Sequence, residues 1–179
     1  MNVVHLSTNE MKGGAARAAH RLHQGLRAES VASSMFVRKK QSRQDHVLQL
    51  QPDDSFFAKC RRVFRYGQIR SDFFPRYVTR PGSTGTLMND DRSRFAGEVV
   101  DQLPSATILN LHWVAGFVDI PEFFERTNVP IVWTLHDMNP ITGGCHYNFG
   151  CRRFEQSCGR CPRIDSTTTN DPSRKSWRR

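Results

Sequence analysis

At 179 residues the chain is long enough for one domain with a substantial core and short for two. Its 37% hydrophobic and 24% charged content and mean hydropathy of -0.58 suit a soluble globular protein, and no apolar run reaches the ~18 residues of a membrane-spanning helix. The 26 Lys and Arg residues against 17 Asp and Glu give a net charge of +9, which favours anionic partners: nucleic acid, acidic lipid or phosphorylated substrates.

The opening MNVVHLSTNEMKGG has an apolar stretch too short and too polar for a signal peptide, so a cytoplasmic address is expected. Val3, Val4 and Leu6 form the apolar run of a parallel-sheet strand over residues 2–7. Lys12-Gly13-Gly14 then leads into a helix. Ala15, Ala19, Leu22 and Leu26 recur on one side of it, with Arg17, Arg21, Gln24 and Arg27 on the other. Residues 31–37 read as a second strand, closed by Arg38-Lys39-Lys40, so the start of the chain is a βαβ unit.

Residues 41–89 read as an irregular basic insertion with one helix over 55–66. Phe56, Phe57, Cys60, Val63 and Phe64 are expected on one side of that helix, with Lys59, Arg61, Arg62 and Arg65 among and opposite them. An amphipathic helix most often turns its apolar face to its own core, so the phenylalanines are expected inside; the alternative is a membrane interface. Pro75, Pro81, Gly82 and Gly85 mark a loop. Beyond it, Asp90 or Asp91 is placed to cap a helix carrying Phe95, Val99 and Leu103. A strand over 106–114, a helix over 121–127 opened by Pro121 and a strand over 130–137 complete the alternation. The expected fold is therefore α/β, a Rossmann-like open parallel sheet with helices on both faces, plus a Cys-rich loop. The domain is placed at 1–165, with the Cys-rich loop at 143–163. Residues 166–179 read as a linker and the first turns of a helix, capped by Asp171 and Pro172. That helix stops soon after it begins and leaves Trp177 unpartnered, so the chain is expected to be incomplete.

Open α/β sheets bind ligands outside the carboxyl ends of their strands, and three features fall there. Gly13 and Gly14 would let the backbone approach a phosphate or sugar at a helix N-terminus, although a plain tight turn explains them equally. His112, in NLHWV, is a candidate substrate-binding residue. No other polar group crowds it in the sequence, so a structural histidine is the stronger reading of it. His136 and Asp137 are candidate catalytic residues, because Thr142 and the Gly143-Gly144 pair lie just beyond them. Cys145, Cys151, Cys158 and Cys161 are spaced as soft ligands that could enclose a structural zinc, with His146 able to replace one sulfur. An iron–sulfur cluster, redox disulfides or packed thiols are the alternatives.

Three stretches together resemble the N-terminal half of bacterial family-four glycosyltransferases of the exopolysaccharide and colanic-acid type. They are HLST…GGAARAAHRLHQGL over 5–26, NLHWV over 110–114, and IVWTLHDMNPITGGCHYNFGCRRFEQSCGRCP over 131–162. The resemblance spans nearly the whole chain except the 41–89 insertion, and NDPSRKSWRR is similar to the start of the family's helix after the cysteine loop. Family members usually carry tryptophan at the position of Asn139. The resemblance implies a two-domain GT-B enzyme that transfers a sugar from a nucleotide-diphosphate donor with retention and without a catalytic metal. It assigns acceptor binding to this half and places Gly13 and Gly14 near the donor diphosphate. It sets His136 beside the transferred sugar, with Asp137 next to it. The implied acceptor is a saccharide, lipid-linked at the cytoplasmic face, which suits a basic surface and peripheral contact with an anionic membrane. The donor-binding half has no counterpart in these residues, so negligible transfer by the chain alone is expected.

A competing expectation is a small basic zinc-binding module that contacts nucleic acid. The dispersal of the basic residues among Rossmann-type strands weighs against it. A noncatalytic partner of a full-length paralogue is the third.

Overall fold

The structure, a computed structural model, describes residues 1–77 and 88–178, without the side chains of 73–77. Its centre is a five-stranded sheet in the order β3-β2-β1-β4-β5, every neighbouring pair parallel. The strands are β1 (Asn2–Asn9), β2 (Ala32–Lys39), β3 (Val47–Gln49), β4 (Ile108–Leu111) and β5 (Ile131–Trp133). The helices are α1 (Gly14–Ala28), α2 (Phe56–Tyr77), α3 (Glu98–Asp101), α4 (Ile120–Arg126) and α5 (Pro172–Arg178). No helix among the described residues is long and apolar enough to cross a membrane.

Parallel strands are buried on both faces, and alternate side chains divide between two packing layers. Val4, Leu6, Phe36, Leu109 and Leu111 meet Phe95, Val99, Phe117 and Phe123, so α3 and α4 cover one face. Met35, Val37 and Val47 point the other way, where Ala19 of α1 closes over them. Helices on both faces of an open parallel sheet are what the alternation of elements predicts.

The α1 face departs from expectation. Its buried residues are Ala16, Ala19, His20 and His23, while Leu22 is exposed. The cause lies in the sheet, which presents His5, Ser33 and Asn110 to that side. His23 Nδ1 and Ser33 Oγ are hydrogen-bonded at 2.8 Å, so the helix turns a polar set toward a polar layer.

Residues 41–77 are more regular than the sequence suggests. Val47–Gln49 adds the edge strand β3. The helix of this segment continues to Tyr77, so Pro75 lies within it; Pro81, Gly82 and Gly85 fall outside the described residues. The expected burial of its phenylalanines is overturned. Ala58, Arg62, Arg65 and Ile69 form the inward face, and Phe56, Phe57, Val63 and Phe64 are exposed. Two carboxylates of the domain cause this inversion. Arg62 Nη1 pairs with Glu98 at 2.9 Å and Arg65 Nη2 with Asp119 at 2.6 Å.

The helix expected to follow Asp90 is reduced to the four residues of α3. Asp90 is engaged by its neighbour Arg92, through the backbone and guanidinium N–H groups, and Ala96 takes a left-handed φ of 46° that interrupts any helix there. Asp119 caps α4, with Pro121 in its first turn. Trp177 also differs from expectation: its indole N–H donates to the Phe154 carbonyl at 3.0 Å and Arg174 stacks over its ring.

Candidate active site at the carboxyl edge of the sheet

In β1 the apolar residues flank His5, which is fully buried on the α1 side. The parallel register sets His5 beside Asn110 of β4, and His112 follows at the carboxyl end of that strand. His5 Nδ1 and His112 Nε2 are 3.1 Å apart, and His112 Nδ1 and His136 Nε2 are 3.0 Å apart. The three imidazoles therefore form a continuous hydrogen-bonded row from the core to the loop after β5. His23 packs edge-on to His5 at a centroid distance of 6.0 Å and extends the row beneath α1.

This row corrects the reading of His112 as uncrowded. It also adds His5 and His23 to the candidate residues. Their signal was present: His20 and His23 fall on the same helical face as Ala16 and Ala19, and His5 interrupts an otherwise apolar buried strand. Burial pushes His5 down to about 4 and His112 to about 3, the latter helped by the neighbouring His5 and His136. Both are therefore neutral near pH 7. A neutral His112 donates through one ring nitrogen and accepts through the other, which couples its tautomer to that of His136. His136 itself is partly open; burial lowers it, and the nearby Asp137 offsets only part of that fall.

Asp137 is turned away from this row. Its Oδ1 accepts the Asn139 N–H at 2.8 Å and its Oδ2 pairs with His146 Nδ1. Burial alone would raise this carboxyl, but the bonds from His146 and the Asn139 amide outweigh it and hold it below the usual carboxylate range. His146 stacks on Trp113 at 5.7 Å, so it belongs to this turn and does not line the cysteine cavity. Asp137 thus holds the turn that carries His136 and Asn139.

At the end of β1, Gly13 is the N-cap of α1 with φ of 100°, a conformation that favours glycine. A Cβ at Gly13 or Gly14 would meet nothing within 4 Å, no side chain caps the helix, and its first turn holds no acidic residue. The helix start is thus open to an anionic group. Glu10 just before it is fully buried. Its Oε2 accepts the Ser42 N–H at 2.8 Å and that of Gln41, tying the glycine turn to the loop after β2.

A cleft of about 390 Å³ opens beside the 139–141 turn, walled by Trp133, Phe124 and Trp177 and edged by Asn139, Asp91 and Ser176. Cys145, Cys151, Cys158 and Cys161 surround a separate cavity of about 30 Å³. Burial pushes the Cys145 thiol up to about 12, with Cys161 adding to the effect, and also raises Cys158 and Cys161. Yet among the described residues no group of three or more His, Cys, Asp or Glu side chains is arranged to hold a metal ion. The four thiols line this one cavity, as their spacing leads one to expect. The Gly143 N–H donates to Cys158 Sγ at 3.2 Å and ties that thiol to the glycine pair.

The loop is pinned to the rest of the domain at Gly144. That residue has φ of 112°, accepts the Asn89 N–H at its carbonyl at 2.8 Å, and would drive a Cβ into the Asn89 carbonyl. Gly144→Ala is expected to cost at least about 2 kcal/mol in a urea titration. Gly25→Ala, inside α1 and facing open space, is expected to stabilise the chain by up to ~1 kcal/mol.

A five-stranded parallel sheet, helices on both faces and polar groups gathered at the strands' carboxyl edge define a Rossmann-like α/β domain. Among known proteins, the chain is similar to one from Escherichia coli (strain K12) with the provisional name colanic acid biosynthesis glycosyl transferase WcaC. The two are 26% identical across 93% of this chain. The chain spans 40% of the length of that relative. No protein-family model matches the chain, and no solved structure matches it significantly.

Proposed function

We propose that this chain is the acceptor-side half of a retaining GT-B glycosyltransferase that builds cell-surface polysaccharide from a nucleotide-diphosphate sugar. The observation that carries the reading is the row His5–His112–His136, which delivers one partly open imidazole to the sheet edge where the uncapped α1 also begins. In this reading His136 contacts the transferred sugar. His112 is a positioning residue that fixes its tautomer, and Gly13 and Gly14 face the donor diphosphate. Asp137 shapes the turn. The saccharide acceptor, lipid-linked in the cell, lies in the cleft of Trp133 and Trp177, whose rings offer apolar walls to sugar C–H groups and whose rim offers Asn139 and Asp91 to hydroxyls. The donor domain is supplied by sequence beyond these residues or by another chain, and the site is cytoplasmic.

The purified 179-residue chain is the material for the test. Titration with colanic-acid oligosaccharides, followed by NMR, is expected to shift the Trp133 and Trp177 indole signals and the His136 ring signals saturably. Nucleotide sugars offered alone are expected to give no turnover. Saccharide binding that leaves those three residues unmoved would contradict the reading, as would measurable sugar transfer by the chain on its own.

A further inference from the structure

We propose that the outward face of α2 is an interfacial anchor that seats this domain on an anionic lipid bilayer. The proposal rests on α2 and its surroundings and gives a place on the fold to the membrane contact that the glycosyltransferase resemblance implies. A helix that packs on its own domain turns apolar side chains in and charged ones out. Here the order is reversed. Ala58, Arg62, Arg65 and Ile69, spaced four, three and four apart, face the domain, and Glu98 and Asp119 neutralise the two arginines.

The opposite face carries Phe56, Val63 and Phe64, with Phe57 at its margin, exposed to 74%, 73%, 69% and 83%. Single exposed apolar residues are ordinary, but four large ones on three turns of one rigid helix make a contiguous patch. Cys60 and Gly67 lie within the stripe and add no charge to it. Lys59 and Arg70 border it on one side and Arg61 on the other, all exposed. An apolar stripe between basic margins matches the cross-section of a bilayer surface, with rings at acyl-chain depth and cations among phosphates.

Two charge observations select an anionic surface. The helix contains six basic residues and one acidic residue. Beside it opens a cleft of about 460 Å³ lined by Arg38, Lys39 and Arg94 together with Lys59, which pairs with Asp54, and Arg62, which pairs with Glu98. Burial and the neighbouring Arg94 lower the Arg38 guanidinium somewhat, as expected where cations gather without enough counter-charge. Val63 and Tyr66 line the same cleft, so apolar stripe and basic cleft are continuous. A nucleic acid would engage the cations and leave the phenylalanines in water. A bilayer with acidic headgroups engages both.

The test is co-sedimentation of the chain with phosphatidylcholine vesicles, with and without phosphatidylglycerol, at low and high salt. Binding is expected only with phosphatidylglycerol and is expected to weaken as salt rises. A triple variant, Phe56→Ser with Phe57→Ser and Phe64→Ser, should lose roughly tenfold or more in affinity. The set Lys59→Gln, Arg61→Gln and Arg70→Gln should lose a comparable factor. All six side chains are exposed, so circular dichroism and melting midpoints should match the parent. Undiminished binding by the serine variant, or equal binding to neutral vesicles, would overturn the proposal. So would a dimer in gel filtration that the serine variant abolishes while vesicles go unbound, or phenylalanine-independent binding of duplex DNA in place of vesicles.

Discussion

Asp119→Ala is expected to destabilise this chain by about 3 to 5 kcal/mol, a large share of the margin of a domain this size. Asp119 is only 2% exposed. Its Oδ2 accepts the Arg65 guanidinium at 2.6 Å and the Ser93 N–H at 2.8 Å, and its Oδ1 faces the Glu122 N–H at the start of α4. Arg65 Nε in turn donates to the Ser93 carbonyl at 2.8 Å. One carboxylate therefore joins α2, the loop before α3 and the cap of α4. Alanine would strand a guanidinium that is two-thirds covered and a buried backbone N–H, besides removing the cap. Asp101→Ala breaks an exposed pair with Arg126 and should change stability by less than about 1 kcal/mol. Urea denaturation of the two variants beside the parent measures the difference. An Asp119→Ala midpoint close to that of Asp101→Ala would show that the three-way junction contributes little.

The same junction shows where the sequence was readable. Strand–helix alternation located β1, α1, β2, β4 and β5, because buried parallel strands and their crossover helices leave strong apolar runs. Pro121 announced α4 through its fitness for a helix's first turn, while its cap, Asp119, emerged only from the structure. The face of α2 was illegible, because it depends on Glu98 and Asp119, distant carboxylates that draw Arg62 and Arg65 inward. Periodicity within one helix cannot report a partner 36 or 54 residues away. At the site, His136 stood out by its strand-end position. The row behind it did not, since His5, His112 and His136 become neighbours only through the β1–β4 and β4–β5 register. β3 was missed for a related reason: three residues with one buried side chain carry too little pattern to distinguish a strand.

That buried row also sets a steep acid limit on the fold. In the native state burial holds His5 and His23 down to about 4 and His112 to about 3. In the unfolded chain each returns to the ordinary histidine value near 6.5. Above pH 7 both states are neutral and the full stability is present. As pH falls below 6.5 the unfolded chain takes up protons that the native row refuses, so stability is lost progressively until the native values are reached. Each histidine contributes at most about 1.4 kcal/mol per pH unit, so the three give a slope approaching ~4 kcal/mol per unit near pH 5. Glu10, Asp137 and Asp171 sit below their usual values and act from about pH 4.5 downward, so the histidine contribution begins about two pH units earlier. Urea melts at pH 7.5, 6 and 5 should therefore show a falling midpoint well before any carboxylate titrates. His5→Asn removes one member and leaves the row shorter, and its slope should be flatter by about a third. A stability flat from pH 7.5 to 5 would mean that the row opens to water and takes up protons while folded.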